Sequence, residues 1–405
     1  MAKRSTLDRS EQQGAVPRQR SRRADGTGTR KKKRRRGAPV WATLLLTFGA
    51  LLMMVSGGAL IAMRSVIGDL EGSIQVAEPG ILEEDPAATA APAGGAALDG
   101  AFNILLLGID TRTNQDPNNA RSDTIMIMHV SAAHDQAYLM SLPRDLLVEI
   151  PEFKKSKYSG NREDLINAAF YHGAQNGAGR SGGLELAAKT ITKLTKIQFK
   201  AAAVIDFAGF RTIIDALGTV NICVDGDADS LHHYYVDGKV TYVNEDEAKR
   251  RNLKPYKHKK GCREMPGWEA LDYSRIRYSL TDGDYGRQRH QQQLIKAMAK
   301  KAGSAGVLTD FGKVQQLIDA VGKSLLISKP SGMSVTDFLF ALKDVASADL
   351  VLLKTNAGSF ESVYNGSDYL GERLNKTSED MFRAAQQDKL GNFVLLNPQV
   401  VNKEK

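Results

Sequence analysis

A chain of 405 residues has room for two or three domains, and a formal charge of +9 would ordinarily point to a polyanion-binding protein. The charge is confined, however: residues 1–36 hold 14 Lys and Arg against 3 Asp and Glu, leaving 41 basic and 43 acidic residues beyond them, a net of −2. The basic pI describes a tail, which excludes a nucleic-acid-binding reading of the folded part.

Residues 1–36 read as a disordered cytoplasmic tail ending in Arg30-Lys-Lys-Lys-Arg-Arg-Arg36. Residues 37–63 are 27 uncharged positions that include the apolar run Trp41 to Val55. That length predicts a transmembrane helix across a hydrocarbon core of about 30 Å. The basic block in front of it sets the orientation: tail inside, everything after Arg64 outside. A cleaved signal peptide competes, but its apolar region is usually shorter, and Ile61-Ala-Met-Arg64 is a poor cleavage site. A single-pass anchor in the plasma membrane is therefore expected, its basic flank attracted to anionic lipid by about 1 kcal/mol per basic residue. Residues 64–100, with Pro79, Pro86, Pro92 and many alanines and glycines, read as a stalk and linker with too little apolar surface to fold.

The globular part begins near Ala101. Strands are predicted over Asn103–Ile109, Asp123–Val130 and Ala137–Leu142, with further ones at Leu146–Ile150 and Ala202–Ile205. Helices are predicted over Glu163–Tyr171, Leu184–Leu194, Phe207–Leu217, Asp284–Lys301, Val335–Val345 and Ser378–Lys389. Alternation of this kind predicts an α/β or mixed-sheet sandwich. The catalytic core is placed at 101–303 and a part that completes the domain at 304–405. Cys223 and Cys262 both fall in the extracytoplasmic portion, where pairing is favoured; a bridge would clip the insert 225–261, with its hairpin near Tyr235–Val243, at its base. Two free thiols are the alternative. Gly182-Gly183 precedes a predicted helix, and a phosphate-cradling role for it has little support.

The chemistry concentrates between Tyr273 and Gln293, where four arginines, two aspartates and four glutamines surround a glycine-punctuated turn. Arginine forks match phosphate oxygens and keep their charge, so a cluster of them can hold a diphosphate. Arg275 and Arg277 share a face only if their segment is extended, and Arg287 and Gln291 only if theirs is helical. The helical stripe continues through Leu294 or Ile295 to Met298, so its first turns would face a polar site and its later turns enter the core. A solvated basic helix start is the plain alternative. Asp110 and Asp123 stand at the edges of predicted strands, where neighbouring carboxylates can share a hard cation with substrate phosphates. Arg121 and Arg144 stand at strand edges too. His172 reads as a packing or surface residue, and His290 as lying behind the arginines or exposed. No nucleophile elbow, Walker-type loop or zinc-like Cys/His spacing is present, which disfavours covalent serine chemistry, NTP hydrolysis and structural zinc.

Six segments in register resemble the LytR-CpsA-Psr family of cell-wall glycopolymer ligases: Asn103 to Asp110, Arg121-Ser-Asp-Thr124, Ser141-Leu-Pro-Arg-Asp145, Ile166 to Gly173, Asp206 to Phe210 with Gly218-Thr-Val220, and Arg275 through Gln293. The resemblance implies an α/β fold of three layers (α/β/α) around a mixed central sheet, a pocket in it for a polyprenyl-diphosphate lipid, and transfer of its glycopolymer, through a phosphodiester, to a sugar hydroxyl of peptidoglycan. By position it implies Mg²⁺, or Mn²⁺ in its place, on Asp110 and Asp123. It implies diphosphate contacts from Arg121, Arg144, Arg275, Arg277, Arg287 and Gln291, with Asp284 also in the pocket. Asp110, Arg144, Arg275 and Arg277 are the expected catalytic residues, and Asp110 or Asp284 would take the acceptor's proton. One departure stands out: Leu165 occupies a position where the family often has lysine, and Lys157 or Arg162 could compensate. A polyprenyl-diphosphate pyrophosphatase and a non-enzymatic regulatory protein are the competing readings.

Overall fold

The computed structural model describes residues 74–78, 80–82, 98, 100–111, 116–277, 280–304, 306–307, 310–335, 337–338, 342 and 349–403. They belong to the unit Ile61–Lys405. The expected tail and membrane span, 1–63, lie outside them, as does most of the helix expected at Val335–Val345. Among the described residues no helix is long and apolar enough to cross a membrane.

Seven strands form the central sheet: β1 (Gln75–Val76), β2 (Phe102–Ile109), β3 (Ser122–Val130), β4 (Gln136–Leu142), β7 (Ala201–Asp206), β13 (Leu325–Ser328) and β14 (Asp349–Lys354), in the order β1-β13-β7-β2-β3-β4-β14. The sheet is mixed: β2 pairs antiparallel with β3 and parallel with β7, β3 pairs antiparallel with β4, and β14 joins β4 in parallel. β2 is buried on both faces, as its nearly unbroken apolar run requires of a central strand. Leu105, Leu107 and Ile109 pack with Leu184, Leu186 and Ile191 of one helix, while Phe102 and Ile104 join Val314 and Ile318 of another. Those helices are α2 (Gly179–Thr195) and α7 (Phe311–Val321), so helices cover both faces of the sheet.

The remaining helices are α1 (Ala168–Ala174), α3 (Phe207–Leu217), α4 (Glu245–Arg250), α5 (Gly267–Arg275), α6 (Gly283–Ser304), α8 (Lys376–Gln386) and α9 (Leu390–Leu396). The motif Asp206 to Phe210 is a helix start: the Asp206 carboxylate accepts a hydrogen bond from Gly209 N at 2.9 Å, satisfying one of the orphan donors of α3.

Four expectations change. Glu163–Tyr171 is not one helix: β5 (Leu147–Ile150) and β6 (Asn161–Leu165) form a separate hairpin, and the helix begins at Ala168. Pairing of Leu165 with Leu147 overrides the helical pattern, which belongs to buried Ile166 and Phe170 one step later. Gln75–Val76, inside the expected linker, pairs with β13, and Ala77 N donates to Ile327 O at 2.8 Å. Backbone pairing along an open sheet edge, together with burial of Ile74, Ala77 and Ile81 in the core, holds this segment. Arg275 is helical rather than extended, closing α5 before the chain turns out at Ile276. Gly182 and Gly183 lie inside α2, where a Cβ would meet Gly173 O at 2.6 Å and Phe170 O at 2.8 Å; they allow α1 and α2 to touch.

The insert is bound at its base as expected. β8 (Val220–Val224) and β12 (Gly261–Met265) pair with Cys223 opposite Cys262, and the two form a disulfide. Within it β9 (Ala228–Val236), β10 (Lys239–Tyr242) and β11 (Pro255–His258) make a three-stranded sheet, with Asp237-Gly238 both at positive φ in the tight turn. Buried Asp272 of α5 fastens this sheet by accepting from Ser230 Oγ at 2.9 Å, His233 Nδ1 at 2.8 Å and His258 Nε2 at 2.7 Å. Arg289 of α6 adds a second fastening. Its guanidinium binds Asp282, in the turn after Arg277, and Asp225 at 2.6 Å, beside the disulfide. Burial would raise the Asp225 carboxyl, but hydrogen bonds and charge from His290 and Arg289 outweigh it and hold the group below the usual carboxylate range.

Because Asp225 has a folded pKa below its unfolded value, its stabilisation is complete above the unfolded pKa of about 3.9 and is lost as pH falls towards the folded value. Asp225→Asn is therefore expected to cost about 2 kcal/mol at pH 7 and progressively less below about pH 4. Urea unfolding of both proteins at pH 7 and pH 3 measures this; an equal cost at both pH values would show that the carboxylate charge is not what matters.

Candidate functional site

The sheet brings the expected acidic residues together. Gly108 pairs with Thr124 and Ile109 with Ser122, so the register slips by one residue at Asp123. Asp110, just past the end of β2, and Asp123, at the start of β3, thus stand at adjoining strand ends. β4 returns beside β3 and its next residues are Pro143-Arg144, which set Arg144 Nη1 3.0 Å from Asp123 Oδ2 and Arg144 Nε 3.6 Å from Asp145 Oδ1. Burial opposes the charge of Arg144, but Asp123, Asp145 and Asp284 outweigh it and raise the guanidinium pKa.

Helix α6 delivers the second group. Asp284, in its first turn, is buried and accepts from Arg287 Nε at 3.0 Å, Arg287 Nη2 at 2.6 Å and Gln288 Nε2 at 3.0 Å. Burial alone would raise Asp284; Arg287 and Gln288 reverse the effect and lower it. Arg287 spends its remaining nitrogen on Asp123 O at 3.1 Å, so it bridges α6 to β3 from a buried position.

From the other side Arg275, at the end of α5, brings Nη2 to 4.0 Å from Asp110 Oδ2 and lays its guanidinium over the Phe207 ring, 4.2 Å from the centroid. Arg277 follows two residues on and bears electrostatically on Asp145. Arg121, exposed just before β3, donates from Nη1 to Asn167 Oδ1 at 3.3 Å. Arg144, Asp123, Arg287 and Asp284 are thus joined by direct contacts, and Arg275 pairs with Asp110 at the adjoining strand end, with Arg121 and Arg277 on flanking segments.

Beside this cluster opens an apolar groove of about 200 Å³. Its polar members are Thr124, next to Asp123, Ser274, next to Arg275, and Gln291, one turn after Arg287. Its walls are Leu106, Ile205, Phe207, Phe210, Leu294, Ile295 and Met298, among others. The stripe expected from Gln291 to Met298 therefore lines the groove.

Asp110 and Asp123 offer carboxylate oxygens at neighbouring strand ends, each about one-fifth exposed. Among the described residues no group of three His, Cys, Asp or Glu converges as a metal cage. The donor set fits a hard cation that completes its shell with phosphate oxygens and water, as Mg²⁺ does.

Several residues lie elsewhere than a catalytic reading would put them. His172 stacks on Tyr158 with centroids 4.2 Å apart and contacts Asp164 Oδ2 at 3.2 Å. His290 is buried against Tyr273 OH at 3.0 Å, behind the arginines. Leu165, at the position where lysine was anticipated, belongs to an apolar seat with Leu147 beneath Gly371. Sequence reasoning passed over Asp145, although it sits in the quoted Ser141-Leu-Pro-Arg-Asp145. Burial and the neighbouring Asp284 raise its carboxyl above the usual range, against the pull of Arg144, Arg277 and Arg287. Reasoning from sequence also passed over Arg289, whose partners Asp225 and Asp282 are far apart in the chain.

Comparison with known proteins bears on the family and the fold. The LytR_cpsA_psr family model matches residues 80–383. The chain is 24% identical over 384 residues to a cell wall biosynthesis protein, LcpA of Corynebacterium glutamicum, covering 88% of this chain and 66% of that protein. It is 28% identical over 212 residues to the polyisoprenyl-teichoic acid–peptidoglycan teichoic acid transferase TagU of Bacillus cereus, covering 52% of this chain and 56% of TagU. The chain thus spans slightly under two thirds of the first relative and little more than half of the second. The crystal structure of protein gbs0355 from Streptococcus agalactiae shares the fold, with a TM-score of 0.55 at 22% identity over 72% of this chain and 88% of that one. With three quarters of its length matched by the family model and its quoted segments gathered at one sheet edge, the chain belongs to the LytR-CpsA-Psr family.

Proposed function

We propose that this protein is a membrane-anchored phosphotransferase that moves a glycopolymer from a polyprenyl-diphosphate carrier to a peptidoglycan sugar hydroxyl. One observation carries the reading: a cluster of arginines and aspartates borders an apolar groove of about 200 Å³, a pairing of surfaces that fits a diphosphate joined to a hydrocarbon chain. Relatives named as cell wall biosynthesis proteins and teichoic acid transferases support it. The uncharged stretch 37–63 would anchor the chain in the plasma membrane with the site outside, where peptidoglycan lies.

In the reaction the acceptor oxygen forms a bond to the sugar-side phosphorus while the bond from that phosphorus to the bridging oxygen breaks, releasing polyprenyl monophosphate. Such transfer depends on positioning and charge stabilisation more than on covalent participation by the protein. Arg144, Arg275 and Arg277 would hold the diphosphate oxygens, with Arg121 at the rim and Gln291 at the groove mouth. Arg287 and Asp284 would fix the geometry from behind. Asp110 and Asp123 would hold Mg²⁺, which when bound neutralises phosphate charge. The acceptor proton needs a carboxylate base. Asp284 is engaged by Arg287 and Gln288 and held low, whereas burial lifts Asp145, so Asp145 suits the role better.

Incubating the full-length protein with Mg²⁺, a synthetic polyprenyl-diphosphate sugar and a peptidoglycan oligomer should give a phosphodiester-linked adduct by mass spectrometry. Arg277→Ala should form it about 10- to 100-fold more slowly, the value of one charge-assisted hydrogen bond of about 1.5–3 kcal/mol. Release of sugar phosphate with no adduct would instead establish a pyrophosphatase.

A base must be deprotonated to act, so kcat/KM should rise with pH through the elevated pKa of Asp145 and level off above it. Asp145→Asn should remove that acid limb and lower the plateau by about 100-fold or more. An unchanged limb in the variant would assign the proton to another group.

A further inference from the structure

The strands β15 (Ser362–Asn365) and β16 (Asp368–Glu372) form an antiparallel hairpin whose aromatic side chains face water: Phe360 is 51% exposed, Tyr364 59% and Tyr369 48%. The hairpin is built into the edge of the candidate site. Glu372 N donates to Asp145 O at 2.8 Å, and a Cβ on Gly371 would lie 2.6 Å from the same carbonyl, so only glycine allows the strand to sit this close. Phe360 packs edge-on against Tyr285, the neighbour of Asp284, with centroids 5.2 Å apart. Arg373 reaches across to Glu163 at 2.5 Å.

The aromatic rings are held in place although their faces are open. The buried Glu372 carboxylate accepts from Glu361 N at 2.7 Å, Ser362 Oγ at 2.7 Å and Tyr369 OH at 3.1 Å, tethering the Tyr369 ring by its hydroxyl. Tyr364 stands across from it in register, ring centroids 5.7 Å apart. Rigid aromatics of this sort offer contact area with little entropy left to lose on binding.

We infer that this hairpin is the docking surface for the acceptor glycan, a chain of N-acetylated hexopyranoses whose apolar C–H faces stack on Tyr364 and Tyr369. The inference rests on the phosphotransferase reading and names the part of the site that receives the second substrate. Charge selects this occupant. The exposed acids of residues 359–372 are Glu361 and Asp368, Glu372 being buried. The segment holds no Lys or Arg, and Arg373, which follows it, is paired with Glu163, so the surface disfavours anionic lipid headgroups and a phosphate-rich polymer and accepts a neutral sugar backbone. Carboxylate and amide groups from Asp368 and Asn365, at the hairpin tip, are available to sugar hydroxyls. Position selects it as well, since Asp145, the base proposed for the acceptor hydroxyl, is the residue on which the hairpin is seated.

The test measures binding rather than turnover, on the detergent-solubilised full chain, by calorimetry with a β-1,4-linked N-acetylglucosamine hexamer. Tyr364 has a single ring neighbour and no bond into the site, so Tyr364→Ala should fold normally. It should weaken the hexamer about tenfold, the scale of one aromatic contact, and Tyr364→Trp should restore it. Binding of a polyprenyl diphosphate, measured in parallel, should be unchanged in both variants. Equal hexamer affinity in the wild type and Tyr364→Ala, or no hexamer binding by the wild type, overturns the inference. Strong quenching by brominated lipid in nanodiscs, seen with Tyr364→Trp beyond the wild-type level, overturns it in favour of a membrane-facing surface. Failure to bind the polyprenyl diphosphate would count against the phosphotransferase reading, while the hexamer result would still decide the role of the hairpin.

Discussion

The contact between Arg144 and Asp123, 3.0 Å apart at the ends of paired strands, is the constraint around which the site is organised. Cations and carboxylates crowded at one sheet edge must neutralise each other before substrate arrives, without locking so tightly that substrate cannot compete. The pairs divide accordingly. Arg287 and Asp284 are buried and joined by two bonds of 3.0 and 2.6 Å, which suits a permanent strut. Arg275 to Asp110 at 4.0 Å and Arg144 to Asp145 at 3.6 Å are longer contacts between side chains that still touch water. At 3.6 and 4.0 Å these contacts fall outside hydrogen-bonding distance, so a diphosphate can take over the guanidinium donors without breaking a formed hydrogen bond.

Helix α6 makes this division possible by giving each of its faces a different task. Arg287 and Gln288 hold Asp284, Gln291 reaches the groove, and Arg289 turns away to grip Asp225 and Asp282. Gln292 is wholly buried and donates to Leu139 O, Ser141 Oγ and Leu353 O, while Asn402 donates to its carbonyl oxygen at 2.7 Å. One amide thus ties the helix to β4 and β14. An unpaired polar group in that setting costs about 1–3 kcal/mol, so the glutamine is held where its partners are. Through Arg289 the same helix steadies the turn that follows Arg277.

What could be read from sequence follows from what kind of pattern each element carries. β2, β3 and β4 are apolar runs bounded by turns, and Phe207–Leu217 is bounded by Asp206 and Gly218, so local signals sufficed for them. The site residues lie at the ends of these elements and were visible for that reason. The elements that went unread are held by partners distant in sequence. β6 is a strand because Leu147 lies opposite Leu165, and Gln75–Val76 because β13 leaves an edge open. The start of α6 was read correctly, but the task of its polar residues was not, since Asp284, Arg287, Gln288 and Gln291 are buried, and Asp284 is held by Arg287 and Gln288. Arg289 looked like one more member of the cationic run, yet its carboxylate partners lie on another element and in another turn.

The groove and the aromatic hairpin meet the charged cluster through different residues. The groove borders Thr124, Ser274 and Gln291; the hairpin borders Asp145, Leu147, Leu165, Gly283 and Tyr285, and the two sets share no member. Between them stand Asp123 and Arg144, linked to Asp145 on one side and, through Arg287, to α6 on the other. An in-line displacement at phosphorus needs the leaving oxygen and the attacking oxygen on opposed sides of the transferred group. With the prenyl chain in the groove and a sugar hydroxyl arriving over the hairpin, leaving group and nucleophile reach the arginines by separate routes. Leu165 has a physical reason: half-buried beside Leu147, it packs against the backbone at Gly371 and so helps to seat the hairpin beside Asp145.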